Sequence, residues 1–275
     1  MKGSPNNAAQ PALSCFAAPT SFEGIGFDFS MRELRTKRLT SARVAYHARH
    51  MPTAFHPYGA SHQAALTATA VVLVLMLVLS RTRLASVAER LLGALLLAVV
   101  PGTVIMHWVH GSLDAQTCLP LQYCDVAAIA GGLGLCFKKS FWCEVVYFFG
   151  LAGTFQGLLT PALQFDQPDP RYYAFFLLHG GVTVAAFYVV TGMRMRPAPG
   201  AVRRVMTFSL AWYATTALVN LALGTNYAFQ CAKPAGASLF DWLGPWPWYN
   251  FSAIGVGLAL YSLLALPFAL SQRKG

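Results

Sequence analysis

Apolar residues along this chain fall into seven long runs separated by short polar connections. A helix needs about 20 apolar residues to cross a bilayer core about 30 Å thick. Lipid offers no partners for backbone amides, so such segments must be helical. We therefore predict an all-α, polytopic membrane bundle of about seven transmembrane helices. The predicted spans are residues 64–80, 91–108, 118–137, 141–163, 172–193, 205–223 and 248–270.

The composition agrees with a membrane protein. Of 275 residues, 56% are hydrophobic and only 11% are charged, whereas soluble domains carry roughly 25% charged residues. The net charge of +10 lies mostly in short loops beside spans, where basic residues set orientation and contact anionic headgroups. We expect a multi-pass protein of the cell membrane with membrane phospholipids as partners and no binding of nucleic acid. The oligomeric state is left open.

Basic residues are concentrated in alternate loops and at the end of the chain. Short loops rich in Lys and Arg stay cytoplasmic, so we expect the N-terminus outside and the C-terminus in the cytoplasm. The loops with few basic residues hold only Arg171 and Lys233. The basic set is Arg81, Arg83, Arg90, Lys138, Lys139, Arg194, Arg196, Arg203, Arg204, Arg273 and Lys274.

The first 50 residues conflict with that orientation. They contain seven Lys and Arg residues, which would resist transfer to the outside, and they lack a sustained apolar period. They also contain no apolar region typical of a signal peptide. We expect Met51 to be the true start and residues 1–50 to be an upstream stretch outside the protein; the alternative is a basic, disordered tail. Residues 51–275 then form the seven-helix domain.

Polar residues inside several predicted spans lie at one depth. Cys124, Asp125, Gln156, His179 and Asn220 each lie four to seven residues from the outer end of a span, which is about 6–10 Å below the outer boundary. Ionisable groups inside a membrane usually face the bundle interior and are usually functional. Taken singly, each has a plain structural interpretation, such as a hydrogen bond between helices or an inert buried thiol. Together they predict a site in the outer half of the bundle.

The outer loops add candidate lipid contacts. Arg171 lies in a short outer loop where its guanidinium can pair with a phosphate, and Asn226 follows span six within a Gly-Thr-Asn-Tyr segment. We take both as candidate substrate-binding residues. Cys118 and Cys231 both fall on the outer side, where a disulfide and two unpaired thiols are equally compatible with the sequence.

Five motifs spread along the chain resemble a known family. Together they resemble the bacterial YwaF-like integral membrane proteins over about residues 56–268, and more remotely the eukaryotic transmembrane protein 164. The motifs are Leu119-Pro-Leu-x-x-Cys124-Asp125, Gly150-Leu-Ala-Gly-Thr-x-Gln156-x-Leu-Leu-Thr-Pro161, Phe175-Phe-x-x-His179-Gly180, Gly224-Thr-Asn-Tyr227 and Asp241-x-Leu-Gly-Pro-Trp-Pro-Trp-Tyr249.

The resemblance implies a chemistry. The eukaryotic protein is described as a cysteine-dependent acyltransferase that moves fatty acyl groups onto ether phospholipids. By this resemblance Cys124 is the nucleophile and His179 is its base, with Asp125 or a neighbouring polar group orienting the imidazole. Gln156 and Asn220 carry amide donors for the oxyanion. The family often has His at the position of Gln122, so one possible catalytic His is missing here.

Other classes of function are compatible with the same residues. A metal-dependent lipid hydrolase would use His107, His110, His179 and Asp125, much as seven-span lipid amidases use His and Asp around zinc. A transporter would need a path to the other side and is usually built from inverted repeats, which the sequence does not display. A non-catalytic membrane scaffold is the remaining alternative. For acyl transfer we expect no cofactor and no metal.

Overall fold

The computed structural model describes residues 54–234 and 238–272, and this part of the chain forms seven α-helical stretches and two short 3₁₀ helices, Tyr227–Phe229 and Leu239–Leu243. Residues 1–50, and with them the expectations about a tail and a start at Met51, lie outside the described residues. Six stretches are α1 (Ala60–Leu79), α2 (Ala85–Val109), α3 (Tyr123–Phe137), α5 (Pro170–Thr191), α6 (Ala201–Leu223) and α7 (Trp248–Gln272). The remaining one, α4, joins α-helical Ser140–Phe149, a π-helical turn at Gly150–Thr154 and α-helical Phe155–Leu159.

The predicted class, an all-α multi-pass membrane bundle, is confirmed. Five helices are long and apolar enough to cross a membrane, namely α1, α2, α5, α6 and α7, while α3 is a shorter apolar helix of 15 residues. In the described residues no strand forms beyond one isolated bridge between Ala54 and Phe165. The orientation of the termini stays a prediction.

Several predicted span boundaries differ from the helices by four to six residues: α1, α2 and α6 begin earlier than expected, and two spans were predicted too long. The third span begins at Tyr123, five residues later than expected, because residues 114–118 form turns and Leu121 donates its N–H to the carbonyl of Leu119 across Pro120. The fourth ends at Leu159 rather than at residue 163. Pro161 explains this end, since the residue before a proline is biased away from the α conformation.

The first residue of α3, Tyr123, packs against the π-helical turn in α4. A Cβ at Gly153 would overlap the ring of Tyr123, so only glycine permits this approach. The Tyr123 ring stacks on Phe149 at 4.2 Å between centroids, and its hydroxyl lies 2.9 Å from that of Tyr261 on α7. A π turn inside an α-helix is often found at functional sites, and here it fixes where α3 starts.

The core lies between α2, α3, α4 and α5, where Leu96, Ala127, Val146 and Ala185 are fully buried. The outward faces of the peripheral helices expose large apolar side chains, as a lipid-facing surface requires. These include Val71, Val74, Leu218, Leu221, Phe251 and Leu263. Small residues let the inner helices approach closely, which is the usual basis of helix packing in membranes.

Two carboxylates are buried at the end of the bundle rich in basic residues, and both are paired. Glu144 accepts hydrogen bonds from Arg204 Nη2 (2.6 Å) and Nε (3.2 Å) and from the backbone N–H of Ala198. Glu89 pairs with Lys138 at 2.9 Å and accepts from the Tyr188 hydroxyl at 3.0 Å. Buried charges require such partners.

We predict that Gly132→Ala destabilises the bundle while Gly255→Ala does not. A Cβ at Gly132 would lie 2.9 Å from the Gly93 carbonyl oxygen and would overlap Leu97, whereas one at Gly255 would meet no atom within 4 Å. Overpacking costs about 1–3 kcal/mol, and Ala in place of Gly in a helix gains up to about 1 kcal/mol. Thermal unfolding of the purified protein in detergent measures both. A Gly132→Ala protein as stable as the Gly255→Ala control would contradict the close α2–α3 contact.

Candidate functional site

A polar cavity of about 390 Å³ lies at the end of the bundle where α2 and α4 end and α3 and α5 begin. Its volume is in the range of about 300–1,000 Å³ that is usual for small-ligand sites. Its wall contains both polar and apolar side chains. The polar side chains include Thr103, His107, Gln122, Asp125, Arg171 and His179. Three of the predicted site residues, Asp125, His179 and Arg171, therefore line one cavity.

His179 is held as a proton acceptor. Its Nδ1 lies 2.9 Å from the carbonyl oxygen of Phe175, one turn earlier on α5. A carbonyl only accepts, so Nδ1 carries the hydrogen and Nε2 of the neutral ring keeps its lone pair. The imidazole also stacks on the Phe175 ring at 4.0 Å. A Cβ at Gly157 would lie 3.1 Å from Nε2, so glycine at this position leaves that edge of the ring uncrowded.

Asp125 has a structural role at the start of α3 as well as a place in the cavity wall. Its Oδ2 accepts the backbone N–H of Gln122 at 3.2 Å, which is a helix-start contact. The side chain of Gln122 also lines the cavity, and its Oε1 accepts the N–H of Ala228 at 3.1 Å. Because Nδ1 of His179 binds Phe175, the imidazole is oriented by its own helix and not by Asp125.

Cys124 lies at the depth of His179 but on a different face of α3 from Asp125. Its half-buried side chain packs against the core cluster and is not part of the cavity wall. A Cβ at Gly131 would lie 3.5 Å from that of Ala185 on α5. Helices α3 and α5 both begin at the cavity end and run in the same direction. Cys124 lies seven residues before Gly131, and Leu178 lies seven residues before Ala185. Both are therefore about 10 Å nearer the cavity end than the Gly131–Ala185 contact, and they lie at one level.

Arg171 stands at the cavity wall already paired. Its Nε donates to Asp169 Oδ1 at 2.9 Å and its Nη2 to Oδ2 at 2.7 Å, while the guanidinium carbon lies 3.4 Å from the centre of the Phe165 ring. These hydrogen bonds hold the pKa of Asp169 below its usual value. Asp169 is also the N-cap of α5, so the pair fixes the start of that helix.

Comparison with known protein families shows to which family this chain belongs. Residues 57–265 match the model of the TMEM164 family, a stretch that extends from before α1 into α7. The chain belongs to the TMEM164 family. No curated protein and no solved structure matches it. The family and the apolar helices together make it a multi-pass membrane protein, and the YwaF-like likeness stays a resemblance.

Besides Cys124, three predicted site residues of this TMEM164-family protein do not line the cavity: Gln156, Asn220 and Asn226. Gln156 donates from Nε2 to the Ala152 carbonyl of its own helix at 3.1 Å. Asn220 is only 3% exposed. Its amide donates to the Tyr227 carbonyl and to Gln230 Oε1, and its Oδ1 accepts from the Thr225 hydroxyl and the Tyr227 N–H. Every hydrogen-bonding position of that amide is therefore filled.

Asn226 instead shapes the loop after α6. Its Oδ1 accepts the N–H groups of Cys231 and Ala232, and its own N–H donates to Gln116 Oε1 at 2.6 Å. The Tyr227 hydroxyl donates to the Ala115 carbonyl at 2.6 Å and accepts the N–H of Leu119 at 3.0 Å. We call residues 224–232 the cap loop. Its hydrogen bonds close it over the connection between α2 and α3.

The residues proposed for a metal site have other partners. His107 Nδ1 lies 3.0 Å from the Ser112 hydroxyl, and His110 Nδ1 lies 2.8 Å from the Met106 carbonyl. Within 54–234 and 238–272 no group of three His, Cys, Asp or Glu side chains is placed to hold an ion. Cys118 is a free thiol, so a bridge from it to Cys231 is not formed.

Sequence reasoning missed His62, which is fully buried beside the site. Its Nδ1 accepts the N–H of Tyr58 at 2.9 Å, and its Nε2 lies 2.9 Å from the carbonyl of Leu158 at the end of α4. It therefore ties the start of α1 to the turn that contains Gly157. The available signal was a His placed in the first turn of an apolar run.

We predict that Asn220→Ala lowers the free energy of unfolding by about 2–3 kcal/mol, because it leaves buried donors and acceptors of the cap loop without partners. The matched control is Thr215→Ala on the same helix, whose exposed hydroxyl bonds only the Ala211 carbonyl; it should change stability by less than about 0.5 kcal/mol. Thermal unfolding in detergent compares the two. Equal stability of the two variants would show that Asn220 does not hold the cap loop.

Proposed function

We propose that this protein is a phospholipid acyltransferase in which Cys124 is the nucleophile and His179 is the base. One observation carries the proposal: Nε2 of His179 keeps a lone pair at the depth of Cys124, beside a polar cavity in a membrane domain. A free thiol has a pKa near 8.5 and needs a base to become nucleophilic at neutral pH. Membership of the TMEM164 family supports the same chemistry through the resemblance described above.

The first half of the reaction transfers the acyl group to the protein. Nε2 of His179 takes the thiol proton, and the Cys124 thiolate attacks the ester carbonyl of a donor phospholipid. The tetrahedral intermediate collapses to a thioester on Cys124. The leaving glycerol oxygen takes the proton back from His179, so that a lysophospholipid departs. For this step the ester carbonyl must reach both Cys124, which packs against the core outside the cavity wall, and His179, which lines the cavity.

The second half transfers the acyl group to an acceptor. The hydroxyl of a second lysophospholipid loses its proton to His179 Nε2 and attacks the thioester carbonyl. The new ester forms, the thiolate leaves and the imidazolium returns the proton to sulfur. The overall exchange moves one acyl chain between two glycerol backbones and consumes nothing else. Water in place of the acceptor would give hydrolysis.

We propose Gln122 as the side chain that stabilises the oxyanion. It lines the cavity one turn before Asp125, and the Ala228 N–H fixes its Oε1. The amide therefore has a set direction, as a preorganised donor requires. Gln156 and Asn220, which the sequence suggested for this role, direct amide hydrogens to the Ala152 carbonyl and into the cap loop respectively. Arg171 remains the candidate contact for the lipid phosphate.

We predict that Cys124→Ala lowers the rate of acyl transfer by several orders of magnitude. His179→Gln should lower the rate by about 10²–10⁴-fold, which is the usual contribution of a general base. The control is Cys136→Ser, a free cysteine on the same helix near its other end, which should leave the rate unchanged. Purified protein in liposomes with a labelled donor phospholipid and an unlabelled lysophospholipid gives the rates. A Cys124→Ala protein as active as the control would refute the thiol mechanism. An inactive wild type would favour the scaffold alternative.

A further inference from the structure

A second cavity, of about 510 Å³, lies between α2 and α5. We call it the apolar groove. Almost all of its wall is hydrocarbon, and it includes Leu95, Ala98, Val99, Gly102, Tyr173 and Leu177. Leu95, Tyr173 and Leu177 are 41%, 47% and 46% exposed, so the groove opens sideways on a surface that lipid surrounds.

Small residues and a proline create the groove. Ala98, Gly102 and Ala174 leave space between the two helices, and a Cβ at Gly102 would meet no atom within 4 Å. Pro101 lies inside α2 and removes one helical hydrogen bond, which is a common cause of a kink. The gap between α2 and α5 at the level of Gly102 therefore follows from the small residues and the proline in the sequence.

The apolar groove joins the polar cavity. Thr103 and Ala174 belong to the walls of both. A molecule that fills the two spaces must have an apolar chain attached to a polar end. Both volumes lie in the usual range for bound ligands of about 300–1,000 Å³.

Charge favours a ligand whose polar end is neutral overall. The cavity wall contains the carboxylate of Asp125, and the guanidinium of Arg171 is already paired with Asp169. The neighbouring connections add Asp114 and Asp166. A free fatty acid would bring a further carboxylate to this wall, and like charges placed close together in a membrane site repel each other strongly.

We propose that the apolar groove holds one acyl chain of a zwitterionic glycerophospholipid whose ester and headgroup occupy the polar cavity. The lipid enters sideways from the bilayer between α2 and α5. The chain in the groove then leads its ester toward His179. The reaction of that ester rests on the proposed function, whereas the binding of the lipid does not.

Photolabelling tests the occupant. The protein is reconstituted in phosphatidylcholine liposomes with a trace of phosphatidylcholine that carries a diazirine in one acyl chain, irradiated and mapped by peptide mass spectrometry. We expect labelling at residues 95–102 and 173–177 to exceed that around Leu218, a lipid-facing position on α6 that is 67% exposed, by at least fivefold. Cys124→Ala should label like wild type.

Filling the groove supplies the matched comparison. Gly102→Leu and Ala98→Leu should each lower groove labelling by at least fivefold, while Leu218→Phe should not change it; thermal unfolding confirms that each variant is folded. A diazirine-labelled free fatty acid and an anionic phosphatidylglycerol probe should label the groove less than the phosphatidylcholine probe.

The outcomes separate this inference from the proposed function. Equal labelling of α2, α5 and α6, labelling that neither groove variant reduces, or preferred labelling by the fatty acid or the anionic lipid would each overturn the inference. If wild type labels as expected but transfers no acyl group, the inference holds and the acyltransferase proposal fails. If both groove variants transfer acyl groups at the wild-type rate and their labelling is unchanged, the acyltransferase proposal holds and the inference about the groove fails.

Discussion

Helix α3 is only 15 residues long, about 22 Å at 1.5 Å per residue, which is shorter than a bilayer core of about 30 Å. Its preceding connection must therefore lie where lipid would otherwise surround it, and backbone groups at that depth need partners within the protein. The cap loop provides them. The Tyr227 hydroxyl and the side chains of Gln116 and Gln122 join the cap loop to residues 115–122. The rest of the site depends on this constraint.

A short α3 also explains why a polar cavity exists inside a bundle of apolar helices. Because α3 starts late and α4 ends early, side chains from α2 and α5 line a space that longer helices would fill. The π-helical turn and Gly153 fix the position of Tyr123 along the bundle axis. The close contacts at Gly131 and Gly132 fix the positions of the later residues of α3. The level of Cys124 relative to His179 follows from these contacts.

Much of this could be predicted from the sequence, and the failures have physical causes. The apolar runs indicated the helical stretches because hydropathy reports directly on lipid exposure. Asp125 and His179 stood out since ionisable groups are costly inside a membrane. Asn220 was assigned to the site because depth alone does not reveal direction; its amide serves the cap loop. Gln122 was passed over as a lost His, although it lines the cavity. The apolar groove left no sequence signal, since it arises from small residues on two helices distant in the chain.

The central claim, that acyl chains pass through Cys124, is tested most directly by looking for the acyl-enzyme itself. Wild-type protein is incubated with a donor phospholipid without acceptor, denatured, digested and analysed by mass spectrometry. We predict an acyl chain on the peptide that contains Cys124, joined as a thioester that neutral hydroxylamine removes, and none on the peptides that contain Cys118, Cys136 or Cys143. Acyl transfer by a protein whose Cys124 peptide stays unmodified throughout would contradict the claim.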